Sequence, residues 1–154
     1  MNGLMENTVT VVMGGSTGIG LAAARGLARH GSAVELAAID EPGVTAAVEQ
    51  LRADGHEAHG TVLDVARPEQ VEAFFAAVGA RHGRLSALVN SAGIQRYGTA
   101  ETTPVEVWDE VLDVNVRAMF LASPMSSFVT GADLRVDGGV LAGVALPAPT
   151  TTDT

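Results

Sequence analysis

The chain has 154 residues, 47% of them hydrophobic and 18% charged, which is enough apolar material for the core of one domain and too little charge for a disordered chain. Eighteen acids against nine bases give a net charge of −9, which argues against nucleic-acid and anionic-membrane partners, because phosphate contact needs a basic stripe. All nine bases are arginine and cysteine is absent, so disulfides, thiolate metal sites and cysteine nucleophiles are excluded. No apolar run reaches membrane-spanning length and residues 1–8 lack the basic and apolar regions of a secretory signal, so the expected location is the cytoplasm.

Residues 1–122 repeat one pattern: a short apolar strand, a turn, an amphipathic helix and a glycine stop. Strands are predicted at 9–13, 33–39, 58–63 and 85–89. Helices are predicted at 18–30, from Pro42 to a stop at Gly55, from Pro68 to a stop at Gly83, and from 104 to about 122. Val44, Val48 and Leu51 share one face of the second helix, and Val71, Phe74, Phe75 and Val78 follow i, i+3, i+4, i+7 on the third. In the fourth, Thr103 is the expected N-cap, Pro104 the first helical residue and Glu106 the reciprocal partner of a capping box, with Val107, Val111, Val114 and Ala118 on the buried face. Trp108 and Phe120 are read as packing residues of that helix. Strands alternating with helices of this length imply βαβ units and hence a parallel sheet covered on both faces. Glu35 interrupts an apolar strand, so it signals either a position near the sheet edge or an unidentified partner. His30, His56, His59 and His82 fall at helix ends or on an expected edge strand and are read as surface residues. From 123 the pattern breaks into a turn-like stretch, one short strand within 128–136 ending at Asp137-Gly138-Gly139, and a disordered tail over 145–154; residues 1–144 are read as a single domain.

The first strand runs directly into Gly14-Gly15-Ser16-Thr17-Gly18-Ile19-Gly20 and then a helix, a context in which a glycine loop is informative. Gly14 permits a tight turn, Gly18 lets backbone approach a diphosphate, and Gly20 lets the helix pack close to the sheet. Exposed N–H groups and the helix dipole then favour an anion, each dipole contact contributing roughly 0.3–1 kcal/mol.

The glycine spacing, with Asp64-Val65 after the third strand, Asn90-Ser91-Ala92-Gly93 after the fourth and Asn115 in the fourth helix, resembles the short-chain dehydrogenase/reductase family over residues 8–122 and 127–139. The resemblance implies an α/β fold with a Rossmann-like, doubly wound parallel sheet and NAD or NADP as cofactor. It implies that Gly14, Ser16, Thr17, Gly18, Ile19 and Gly20 hold the dinucleotide phosphates, that Asp64 accepts from the adenine amino group, and that Val65 flanks that ring. Asn90, Ala92 and Gly93 would line the adenosine ribose and support the sheet, and Asn115 would help order a proton-relay water. Each carries a plainer alternative: Asp64 as a turn residue before the third helix, Asn90 as a strand-end cap, Asn115 as a packing residue. Ala38 stands where members preferring NAD often place an acid for the ribose 2′-OH; Asp40, two residues on, tilts the choice towards NAD without closing it.

The family's acid/base chemistry uses a Tyr with a Lys four residues later, and a Ser. No lysine is present, and the only tyrosine, Tyr97, follows the Asn90–Gly93 motif with no partner of this kind. At roughly 30 residues per βαβ unit, well over about 60 residues are missing between the fourth helix and the stretch 127–139. The expected cause of the gap is an in-frame deletion joining similar stretches. The expected outcome is a truncated sheet of about five strands, with 134–136 sliding beside the fourth strand in the order 3-2-1-4-7 of the family, or, failing that, self-association through a bare edge. The implied activity is hydride transfer between NAD(P)(H) and a small carbonyl or alcohol, impaired by the missing Tyr/Lys segment; the alternatives are a non-catalytic dinucleotide-binding module and a non-functional deletion product.

Overall fold

Five consecutive side chains of Val9–Met13 are buried, as expected of a strand sheltered on both faces, and this strand, β1, is the axis of the sheet. The computed structural model describes residues 3–117. After β1 come α1 (Gly18–Arg29), β2 (Ala33–Ala38), α2 (Glu41–Ala53), β3 (Ala58–Val62), α3 (Pro68–His82), β4 (Ala87–Asn90) and α4 (Val105–Leu112), with one π-helical turn at Asp113–Arg117. The four strands are parallel in the order β3-β2-β1-β4, with Val12 opposite Leu36 and Val89, and Glu35 opposite His59.

The alternation of side chains along β1 and β2 separates two cores. Val12, Val34 and Leu36 pack against Ala24 and Ala28 of α1 and Ala47, Val48 and Leu51 of α2. Val9, Val11, Met13 and Ala37 pack on the other face against Val71, Phe74, Phe75 and Val78 of α3. The doubly wound architecture thus follows from apolar stripes already visible in the sequence. The stop at Gly83 is a left-handed cap (φ +67°), a conformation that side chains with a Cβ rarely adopt.

Several expectations need correction. For Glu35 the partner reading holds: β2 lies between β1 and the edge strand β3, and Glu35 is fully buried with Arg81 and His82 as its partners. His82 is therefore not a surface histidine; its side chain is 9% exposed. The capping box of α4 is absent, because Thr103 Oγ1 donates to Thr99 O at 2.7 Å inside a threonine-rich turn and Pro104, extended at ψ 148°, takes the N-cap position. α4 stops as an α-helix at Leu112, where the π-helical turn begins, and it buries no residue; Val107, Val111 and Val114 are only half-buried and Trp108 is 50% exposed. β4 starts at Ala87 rather than 85. Ala118, Phe120, the expected strand within 128–136 and the tail at 145–154 lie outside the described residues.

Candidate functional site

β1 ends at Met13 and the backbone turns at once. Gly14 N–H donates to Ala37 O at 2.7 Å and Gly15 N–H to the same oxygen at 3.3 Å, which ties the loop to β2. A Cβ on Gly14 (φ +72°) would stand 2.5 Å from Ala92 N, and one on Gly20 would stand 2.1 Å from Gly14 O. Bare glycine at both positions therefore lets α1 and the chain after β4 close onto the turn. Gly18 differs: its φ is +53° and a Cβ there would meet nothing within 4 Å. Open space on that side is what backbone needs if a ligand is to approach it. The first N–H groups of a helix have no intrahelical acceptor, and α1 carries no acidic side chain in its first turn to answer their charge.

A groove of about 300 Å³ runs along the C-terminal ends of the strands, where the strand order reverses between β1 and β4. In open α/β sheets ligands bind at this switch point. Of the residues singled out in the sequence, Gly14, Ser16, Thr17, Asp40, Asp64, Val65, Ala92 and Gly93 line it. Gly18, Ile19, Gly20, Asn90 and Asn115 do not; Ile19 is 84% exposed at the start of α1. The lining also includes Ala38, Ser91 from within the Asn90–Gly93 motif and Val114 of the fourth helix's apolar face, together with Ile39 and Ile94, which no motif flagged. A larger hollow, about 470 Å³, opens between α1 and the end of α2, but it is walled by the exposed Arg25, Arg29 and Asp54 and no strand end reaches it.

The polar side chains hold backbone. Asp64 Oδ1 accepts from Ala66 N–H at 2.9 Å, Asp64 O accepts from Arg67 N–H at 3.0 Å, and Gln70 Oε1 accepts from Asp64 N–H at 2.8 Å, so the turn into α3 uses a single carboxylate oxygen of Asp64. Val65 is 7% exposed and belongs to the core as well as to the groove wall. Asn90 Oδ1 accepts from Ala92 N–H at 3.2 Å, a strand-end cap. Asn115 makes a two-bond clamp: Ile94 N–H donates to Oδ1 at 2.8 Å and Nδ2 donates to Ile94 O at 2.9 Å. The π-helical turn carries this residue to the segment after β4. The Asp40 carboxylate, at the N-cap position of α2, makes no capping hydrogen bond. Outside the groove, Glu69 is held below the usual carboxylate range, first by a backbone N–H at the start of α3 and then by the Arg67 guanidinium 3.1 Å away. Tyr97 is 64% exposed and does not line the groove. No helix among the described residues is long and apolar enough to cross a membrane.

Residues 8–128 match the family model for short chain dehydrogenases. A ketoacyl reductase assigned to the monensin polyketide synthase of Streptomyces virginiae is 40% identical over 149 residues, covering 92% of this chain and 57% of its own length. D-threitol dehydrogenase of Mycolicibacterium smegmatis is 34% identical over 146 residues, covering 95% and 55%. A metagenomic short-chain oxidoreductase solved in complex with NADP superimposes with a TM-score of 0.76 at 35% identity, over 79% of this chain and 55% of that one. The chain thus spans about half the length of the curated relatives it matches.

Proposed function

The chain belongs to the short-chain dehydrogenase family, and from that premise we propose that it holds NAD or NADP in the groove above the sheet, as the cofactor-binding part of an oxidoreductase acting on small carbonyls or alcohols. The observation that carries this reading is the turn at 14–20, where an open Gly18 and an α1 terminus free of acidic side chains lie beside the groove. When bound, the nicotinamide supplies or accepts the hydride. The chain's own residues bind and orient. Backbone N–H groups at 14–20 take the diphosphate, and Ser16 and Thr17 flank it. Asp64 keeps one oxygen for the adenine amino group, and Val65 lies against the ring. Asp40 reaches the adenosine ribose; its charge favours the hydroxyl of NAD over the phosphate of NADP. Ala92 and Gly93 form the far wall, which Asn90 caps. Asn115 acts through Ile94 and is a positioning residue.

Proton transfer is the weak point. The sequence contains no lysine, and Tyr97 is 64% exposed and apart from the groove. Losing general acid/base catalysis costs roughly 10²–10⁴-fold in rate, so this stretch of chain binds dinucleotide and reduces carbonyls poorly. The same observation favours the second reading, a non-catalytic dinucleotide-binding module. We place the protein in the cytoplasm. We also expect copies to self-associate, on the ground that β4 pairs only with β1 among the described residues and that Trp108 and Leu112 of α4 are about half exposed.

Titration with NADH and NADPH, followed by nicotinamide fluorescence, is expected to saturate at micromolar concentrations, with NADH the tighter ligand. A folded chain that binds neither overturns the reading. Carbonyl reduction at ordinary enzymatic rates, about 1–10³ per second, contradicts the claim of impaired catalysis.

A further inference from the structure

A second site lies on the α3 face of the sheet, away from the groove. Glu35 is fully buried at the middle of β2, directly across the register from His59 of β3. His82, in the last turn of α3, comes down on the same spot. Its Nε2 lies 2.7 Å from Glu35 Oε1, and Arg81 Nη1 donates to that same oxygen at 2.6 Å. Both partners therefore use one oxygen. The other, Oε2, is buried with no hydrogen-bond partner, a condition native structures normally avoid. One ligand atom from each of Glu35, His59 and His82 lies within 4.8 Å of the other two. Ligands held about 2.0–2.1 Å from a tetrahedral metal stand roughly 3.3 Å apart, so the three groups need only draw together.

We infer that Glu35, His59 and His82 form a binding site for a divalent transition-metal cation of the zinc type. The donor set selects the class. Two imidazoles and one carboxylate suit Zn²⁺, whereas Mg²⁺ and Ca²⁺ call for six or more oxygens. The surroundings permit it. Arg81, the cation that now answers Glu35, is 43% exposed and can swing into solvent when a metal takes its place. His59 is 31% exposed and lightly held, with Glu57 Oε1 at 3.9 Å from Nε2 and Arg52 Nη2 at 3.4 Å from Nδ1. The ion would join β2, β3 and α3, with water completing its coordination, and so act as a structural clamp.

The test is calorimetric titration of the full chain with Zn²⁺, with Mg²⁺ as comparison, accompanied by melting curves. Even an outer partner of a metal ligand is worth roughly 10–100-fold in affinity, so losing a ligand costs at least ~10-fold. The wild type is expected to bind one Zn²⁺ and melt higher with it, and to ignore Mg²⁺ at the same concentration. His59→Gln, which disturbs little packing, is expected to abolish the effect and keep the metal-free melting temperature. His56→Gln, away from the cluster, retains binding. Arg81→Gln tightens binding, because the competing cation is gone. Zn²⁺ binding that survives His59→Gln unchanged, or weakens in Arg81→Gln, or is matched by Mg²⁺, or no binding at all, overturns the assignment.

Discussion

Every buried residue of the described chain lies between Val9 and Val78; the stretch carrying β4 and α4 has none. Both regions have regular backbone, and β4 is hydrogen-bonded to β1 along its length. They differ in what covers the side chains. β1 and β2 have helices on both faces, so Val11, Val12, Val34 and Leu36 reach zero exposure. β4 is half-buried throughout, and in α4 Val105, Trp108 and Leu112 are 48–64% exposed. The groove straddles this boundary. Its floor, the turn at 14–17, is built into the dense half. Its wall at 91–94 is held instead by two polar devices, the Asn90 cap and the Asn115 clamp, and by the close approach of Ala92 to the bare Gly14. Backbone pairing alone therefore makes a strand, while a rigid site wall needs either core packing or a dedicated hydrogen-bonding residue.

The contrast breaks down if equivalent truncations cost the same on both sides. Leu36→Ala is expected to lower stability by about 2–5 kcal/mol, the cost of a core cavity, while Leu88→Ala in β4 costs below ~1.5 kcal/mol; chemical denaturation of both variants decides it. Next in size, Asn115→Ala removes two hydrogen bonds worth roughly 0.5–1.5 kcal/mol each. It should weaken dinucleotide binding more than Val107→Ala does, since it frees the groove wall; equal effects in a binding titration would leave Asn115 a mere packing residue. Asp40→Ala should erase the preference for NADH over NADPH, about a tenfold change or 1.4 kcal/mol, with little change in melting temperature. The smallest effect belongs to Glu69→Gln. The Glu69 carboxyl is held below its ordinary range, so its contribution is present above that range and fades as pH falls through the lowered value. Melting curves of the two proteins should differ slightly near neutrality and converge in acid; divergence on acidification has the wrong sign.

Much of the dense half was legible because its signals are local. An apolar run followed by Gly14-x-x-x-Gly18-x-Gly20 fixes a strand, a turn and a helix within a dozen residues, and Pro42, Pro68, Gly55 and Gly83 bound α2 and α3. Glu35 resisted because its partners lie 46 and 47 residues further along; a carboxylate in a strand announces a partner without naming it. Thr103 was misread because its hydroxyl has a nearer acceptor in the preceding turn. α4 was read as one buried helix because apolar periodicity reports a face, not what covers it. In the groove, the glycine loop, Asp64-Val65 and Ala92-Gly93 were visible as motifs, whereas Ile39 and Ile94 enter only through the geometry of the strand ends.

Hydrogen exchange of the backbone N–H groups, measured with and without saturating NADH, tests most directly where the dinucleotide lies. New protection is expected across 14–20 and 91–94, with 99–112 exchanging as before. Saturated binding that leaves 14–20 unprotected would place the dinucleotide elsewhere and contradict this expectation.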